Sequence, residues 1–392
     1  MKEQWEKKRM KVMFVASDNY DASGAFLSMV QLIKCLHNFG IEAMVILPTK
    51  GTGTRLLDDY GISYRMIPTY NWSISMHKKR TCTEEIKIVI KKILNRKQIY
   101  HLKNIIRKEN FDIVHINTSY SYVGAVAAQK AKIPVIWHLR EFMEEDQNTT
   151  FWNKVESYKL MKQSDKLIAV SKSIADKYKE IFSKEKVKVI YNGINPIFYN
   201  EEKQIMNSNL LKIVLIGTIS EKKGQLVAIK AISELVKNAN IEVCVKIVGT
   251  GTKEYLKYLE CEVGRLGLKQ VIEFVGKSDN VKKYYDWADI SIVSSIMEAF
   301  GRVTVEGMMA GCLVIGSNTG GTKELLKDGV TGIIFEQGNS HDLFEKIKNA
   351  IENKALSKKI ASEGRYKAGL LYTAERNAKE IANVYEEILG EK

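Results

Sequence analysis

Two carboxylates, Glu298 and Glu306, stand with seven residues between them in Ser295-Ile-Met-Glu298-Ala299-Phe300-Gly301-Arg302-Val303-Thr-Val-Glu306-Gly-Met-Met-Ala310. The run before them, Asp289-Ile-Ser-Ile-Val-Ser-Ser295, reads as a buried strand, and the residues after Gly301 favour a helix. A glycine at a strand-to-helix junction lets the backbone approach a ligand closely. It also leaves the first N–H groups of the helix free to bind an anion. The spacing puts Glu298 in the turn and Glu306 in the first helical turns, so both can face one crevice outside the carboxyl end of the strand. One acid beside a sugar, amides against a diphosphate and a second acid on a ribose would make a sugar-nucleotide site. The plainer reading makes Glu306 an acid favoured by the helix dipole and Glu298 a solvated loop residue.

The elements that must hold these groups alternate between short apolar runs and helical stretches, the pattern of parallel βαβ units. In the first half the spacing predicts strands over 11–16, 43–47, 112–116, 134–139, 166–170 and 187–190. The second half repeats the pattern over 211–216, 242–248, 271–275, 289–293, 313–315 and 332–335. A chain of 392 residues with 45% apolar content is long enough for two such cores. Residues 196–209 are polar, carry Pro196 and show no periodicity, so they read as a linker. The expected domains are therefore 1–195 and 210–372, followed by a periodic helix over 373–392.

Around these strands the sequence resembles the retaining glycosyltransferases of family 4. The segment Ser295 to Gly332 is similar to that family's signature region, and Ile216-Gly217-Thr218-Ile-Ser-Glu-Lys-Lys223-Gly224 to its first C-terminal-domain strand and turn. Trp137-His138-Leu-Arg140-Glu141, Ile168-Ala-Val-Ser171 and Val189-Ile-Tyr-Asn-Gly193-Ile supply three further landmarks in the right order. The resemblance runs, with gaps, from about residue 12 to residue 388. It implies the GT-B fold: two Rossmann-like, doubly wound α/β domains facing each other across a cleft, with the C-terminal helix crossing back to the N-terminal domain. The N-terminal domain would take the acceptor and the C-terminal domain the nucleotide-sugar.

The same resemblance assigns roles. Glu298 would hold the transferred sugar and Glu306 the ribose. The turn Ala299, Phe300, Gly301, Arg302 and Val303 would meet the donor, with Lys223 on the diphosphate. The family commonly has an arginine where this chain has Thr218, and Arg302 is a candidate replacement cation. Gly24 and Ala25, in the small-residue turn Asp21-Ala-Ser-Gly24-Ala25-Phe26, would lie near the donor phosphate or sugar, with a helix expected from Leu27 to Asn38. The family usually has two glycines there, and Ala25 narrows the approach. His138 would face the transferred sugar. Arg140 and Glu141 either line the acceptor side or pair with each other, and His115 reads as core or near-site packing. Gly51-Thr-Gly53 and Gly249-Thr-Gly251 complete no dinucleotide fingerprint and read as turns after strands.

No Asp-x-Asp sits at a strand end, and Asp58-Asp59 falls in a helical stretch, so a metal-independent reaction is expected, with no cofactor beyond the substrate itself. The reaction implied is retaining transfer from a nucleotide-diphosphate sugar, UDP favoured over GDP, to a glycan or lipid-linked acceptor in polysaccharide or glycolipid synthesis. A sugar-nucleotide epimerase or sugar phosphorylase of the same fold, or a non-catalytic membrane- or glycan-binding scaffold, are the other readings.

Charge bears on the acceptor. The net charge is +14, and residues 77–109 hold eleven Lys/Arg against three Glu. Within them Ile86, Val89, Ile90, Ile93, Ile99, Leu102, Ile105 and Ile106 recur at helical steps, one stripe on a basic amphipathic helix or on two in succession. Such a helix is either an ordinary solvated surface or a face for anionic lipid. Aromatic residues do not interleave with the basic ones and no recognition module is visible, so nucleic acid is not expected. The charged stretch Met1–Lys11 lacks a secretion signal's apolar core, no apolar run approaches membrane-spanning length, and the five cysteines are scattered. A cytoplasmic protein with reduced thiols and no structural zinc is expected, either soluble or peripheral on the inner membrane face.

Overall fold

The structure, a computed structural model, describes residues 9–77, 81–239 and 241–390. Lys78, Lys79 and Arg80 of the basic window and the first eight residues lie outside that description. Internal packing divides the chain into two units, Met1–Gly193 with Ala374–Lys392, and Ile194–Thr373.

In the first unit the strands are β1 (Met10–Val15), β2 (Ile41–Leu47), β3 (Ser63–Met66), β4 (Ser73–Ser75), β5 (Ile113–Ile116), β6 (Val135–Leu139), β7 (Thr149–Phe151), β8 (Lys166–Ala169) and β9 (Val187–Val189). Seven of them form a sheet in the order β3-β2-β1-β5-β6-β8-β9, every pair parallel. The order turns outward from β1 in both directions, so the switch point lies between β1 and β5, and a ligand belongs at their carboxyl ends. β4 and β7 pair antiparallel as a separate ribbon. The sequence reading missed β3, β4 and β7. They are only three or four residues long, and β3 is a largely exposed edge strand with no apolar run to announce it.

The second unit holds β10 (Leu210–Ile216), β11 (Glu242–Val248), β12 (Ile272–Gly276), β13 (Ile290–Val293), β14 (Leu313–Ser317) and β15 (Ile333–Phe335). They form one parallel sheet in the order β12-β11-β10-β13-β14-β15, with its switch point between β10 and β13. The near-continuous apolar runs of these strands are what a sheet covered on both faces requires. The expected linker is not a bare connector. Pro196–Phe198 form a 3-10 turn, and Ile205 and Met206 are buried in the second unit's core.

The C-terminal helix, Ala374–Gly390, belongs to the first unit. Its Ala378, Ile381 and Tyr385 share a core with Phe26, Met29 and Leu32 of the helix Gly24–Leu36.

The basic segment forms a single helix, Cys82–Lys108, opened by Thr81 as N-cap. Its apolar residues do not make one stripe. Ile88, Ile99, Leu102, Ile105 and Ile106 are buried, whereas Ile86, Val89, Ile90 and Ile93 are each 50–60% exposed. At 100° per residue the step from Ile86 to Ile99 turns the helix by about 220°, which puts the two sets on opposite faces. Asn95, also buried, marks the inner face by bonding Tyr70 and the Tyr122 hydroxyl.

Candidate active site

In the second unit the loops leaving β10 and β13 meet at the switch point. Ile296 N–H donates to the Lys222 carbonyl at 2.8 Å, and the Ser294 hydroxyl donates to the Lys223 carbonyl at 3.0 Å. Gly224 makes this approach possible: it has φ +68°, and a Cβ there would lie 2.1 Å from the Ser294 carbonyl oxygen. The result places Lys223 Nζ 2.7 Å from Glu298 Oε1, which also accepts from the Ser295 hydroxyl at 2.7 Å. Thr218 is exposed, and its carbonyl accepts from the buried amide of Gln225, which in turn accepts from Ser220 N–H. Gln225 braces this loop and was not singled out from the sequence; a glutamine just inside a helix carries no signal of its own.

Gly301, with φ +93°, opens the helix Arg302–Met309. One turn in, the nearly buried Glu306 carboxylate accepts from Arg302 Nη2 at 3.1 Å and from the Tyr285 hydroxyl at 3.3 Å. Burial, with Glu306 adding to it, pushes the Tyr285 phenol well above its usual range, so it stays a donor. Arg302, the expected substitute for the missing phosphate cation, is thus the i, i+4 partner of Glu306. Phe300 is buried with its ring edge-on to Tyr372, while Ala299 and Val303 are half-buried.

The turn 298–300 is clamped by the start of the helix Gly320–Leu325 that follows β14. Gly321 N–H donates to the Glu298 carbonyl at 2.7 Å, and a Cβ on Gly321 would lie 2.2 Å from the Phe300 carbonyl oxygen. The doubled glycine of Asn318-Thr-Gly-Gly-Thr322 was the available signal for this close approach.

In the first unit Gly24 and Ala25 lie at the β1–β5 switch point, where Asn117 Nδ2 donates to the Ala25 carbonyl at 3.2 Å. They are helical residues rather than a turn, because Ser23 caps the helix at Phe26 N–H and starts it earlier than expected. His138, on β6, is fully buried. Its Nδ1 lies 3.1 Å from Arg140 Nη2 and 3.1 Å from His115 Nε2, and its Nε2 has no hydrogen-bond partner. Arg140 also donates to Asn117 and Asn192. Glu141 accepts from Arg140 N–H at 2.8 Å and from Ser119 N–H at 3.1 Å. Both residues are buried, so they brace the end of β6; Arg140 and Glu141 are joined through the Arg140 backbone N–H. Burial pushes the Glu141 carboxyl up to about 7 against these donors.

The known proteins that this chain resembles match both units. The family model for glycosyl transferases group 1 covers residues 196–367, and that for glycosyltransferase family 4 covers residues 22–197. An uncharacterised glycosyltransferase of Methanocaldococcus jannaschii is 31% identical over 73% of this chain and 78% of its own length. The chain is a group 1 glycosyltransferase of the GT-B type. A Campylobacter jejuni α-1,4-N-acetyl-D-galactosaminyltransferase, named for a diphospho-undecaprenol-linked acceptor, is 22% identical to this glycosyltransferase over 70% of the chain and 75% of its own. Among solved structures, Anabaena Alr3699/HepE in complex with UDP matches with a TM-score of 0.79 at 22% identity, covering 96% of this glycosyltransferase and all of that chain. Its complex with UDP-glucose matches at 0.77.

Proposed function

We propose that this glycosyltransferase moves a sugar, with retention of anomeric configuration and without a metal ion, from a UDP-sugar to a glycan or lipid-linked acceptor. The observation that carries the reading is Lys223, a cation held at the carboxyl-end switch point of the second sheet and touching a carboxylate, Glu298. Lys223 would meet the diphosphate, Glu306 the ribose and Glu298 the sugar, with the amides that follow Gly301 adding donors. The solved relatives that hold UDP and UDP-glucose support this donor class. The acceptor oxygen would bond to the anomeric carbon on the face from which the diphosphate oxygen departs, and its proton would pass to that oxygen. Lys223 and Ser295 both hold Glu298, which suits a fixed hydrogen-bond partner better than a nucleophile.

Thermal shift with UDP, GDP, ADP and dTDP tests the donor. UDP should raise the midpoint most, since a ligand at about 100 times its Kd adds roughly 2.7 kcal/mol. A larger shift with GDP would overturn the base assignment. Donor hydrolysis that survives EDTA supports the metal-free reading; loss restored by Mg²⁺ or Mn²⁺ overturns it.

For the acceptor, we infer an anionic bilayer as the working surface. The outer face of the helix Cys82–Lys108 presents exposed Ile86, Val89, Ile90 and Ile93 flanked by Lys87, Lys91 and Arg96, pairing apolar area with positive charge. The Campylobacter relative, named for a polyprenol-linked substrate, is in keeping with cell-surface glycan synthesis on such a surface. Among the described residues no helix is long and apolar enough to cross a membrane.

A further inference from the structure

His138 offers the first unit's one buried side-chain nitrogen, among the described residues, that lacks a partner. What that nitrogen can do depends on where the ring's proton sits, and its neighbours decide this. Arg140 Nη2, 3.1 Å from His138 Nδ1, can only donate, so Nδ1 must carry a lone pair. His115 Nε2 approaches the same Nδ1 at 3.1 Å, and two facing lone pairs would repel, so His115 carries its proton on Nε2. His115 Nδ1 is then bare and needs a donor. The Tyr385 hydroxyl, 2.7 Å away on the C-terminal helix, is that donor.

We propose that Arg140 sets the His138 tautomer with its proton on Nε2, and that His115 and Tyr385 are positioning residues that hold the ring in that state. The order is Tyr385 O–H to His115 Nδ1, and His115 N–H to His138 Nδ1, leaving His138 Nε2–H as a buried donor without a partner. That donor fits an oxygen acceptor on the ligand, a sugar hydroxyl or a phosphate oxygen, and cannot serve as a base. Phe14, stacked on the His115 ring at 4.7 Å, holds its orientation. Burial and the neighbouring Arg140 hold both imidazoles neutral, well below the usual histidine range, and burial keeps the Tyr385 proton in place.

The tautomer follows from this unit alone; its use on a ligand oxygen rests on the donor reading above. The two are therefore tested apart. Long-range ¹⁵N–¹H spectra of the histidine-labelled protein, without substrate, should show His115 and His138 each as a single neutral form protonated at Nε2 from pH 6 to 8, assigned by His115→Asn and His138→Asn. In Tyr385→Phe, His115 should keep its Nε2 proton, which His138 still requires, while its Nδ1 resonance shifts with the loss of the donor and the melting temperature falls only modestly. Turnover on a UDP-sugar should fall by about tenfold, the scale of one lost hydrogen bond, with KM little changed. His138→Gln, which keeps an N–H donor, should retain more turnover than His138→Ala. A protonated Nδ1 on His138, or a Tyr385→Phe spectrum identical to the parent's, overturns the proposal. The expected tautomers together with equal turnover in His138→Gln and His138→Ala would overturn only the part of it that gives the N–H a ligand oxygen.

Discussion

Lys223 and Glu298 leave neighbouring strands 75 residues apart in sequence and meet at 2.7 Å, with Ser295 donating to the same carboxylate oxygen. The contact ties the two loops of the second sheet's switch point together. It also means that the cation is partly neutralised until a stronger anion arrives. On the proposed donor reading, an incoming diphosphate would compete with Glu298 for the ammonium and free the carboxylate to accept from sugar hydroxyls.

Glu298→Gln should therefore leave UDP affinity equal to the parent's or tighter, while donor turnover falls by about two to three decades. Lys223→Ala should lose both UDP affinity and turnover, the latter by a similar factor for one preorganised donor to developing charge. Isothermal titration with UDP and initial rates on the donor measure the two separately. Weaker UDP binding in Glu298→Gln would show that the carboxylate belongs to the nucleotide site instead.

Glu306 is held from two sides, by Arg302 and Tyr285, and the proposed ribose contact uses a carboxylate already oriented. Glu306→Ala should weaken UDP binding by roughly 1.5–3 kcal/mol, as for a charge-assisted hydrogen bond. Tyr285→Phe, which removes only an orienting hydroxyl, should cost about 0.5–1.5 kcal/mol. Uridine and UDP should lose similar amounts, since the contact is to the sugar. Parent-like binding by Glu306→Ala would remove the ribose assignment.

The parallel sheets were legible because strands buried on both faces must be apolar throughout, as Ile213, Val214 and Leu215 are. The strand-to-helix junction at Gly301 was legible from the glycine between an apolar run and a helical one, whereas the roles given to Glu298 and Glu306 came from the family resemblance. What the sequence hid was pairing. Nothing in a linear pattern joins Arg302 to Glu306 in preference to a phosphate, and nothing joins His115 to Tyr385 across 270 residues. The basic helix misled because buried and exposed isoleucines share a spacing. Only the fold shows that Ile99 and Ile86 face opposite ways.

Glu141 makes a pH prediction with a definite sign. Burial pushes its carboxyl up to about 7 from the ordinary 4.5, so the folded protein binds this proton more tightly than the unfolded chain. The stability that the proton brings is fully present below about pH 4.5 and is lost as pH rises through about 7. Across that window it amounts to something on the order of 3 kcal/mol. Urea midpoints of the parent and Glu141→Gln at pH 5, 6, 7 and 8 isolate it. The parent-minus-variant difference should decline from pH 5 to 7 and level off above. A flat difference would mean that Glu141 is ionised throughout.

The outer face of the helix Cys82–Lys108 separates a membrane surface from an ordinary solvated one. Its apolar residues are not used by the core, so area and charge are both available, the two signals that useful membrane affinity requires. Vesicles containing anionic lipid should retain the protein at low salt and release part of it above about 0.3 M, where the Debye length falls well under 10 Å. Lys91→Glu, Arg96→Glu and Lys97→Glu together should abolish retention; Lys92 is spared because it sits 5.7 Å from the Trp152 ring and 3.8 Å from Glu156. Ile86→Ser with Ile90→Ser and Ile93→Ser should weaken retention at every salt concentration, and none of these changes should alter donor hydrolysis. The charge reversals act through the headgroups and the serines through the acyl boundary, so the first set should lose its effect at high salt and the second should keep it. Equal partition onto neutral and anionic vesicles, or onto neither, would make a soluble glycan the better account of the acceptor.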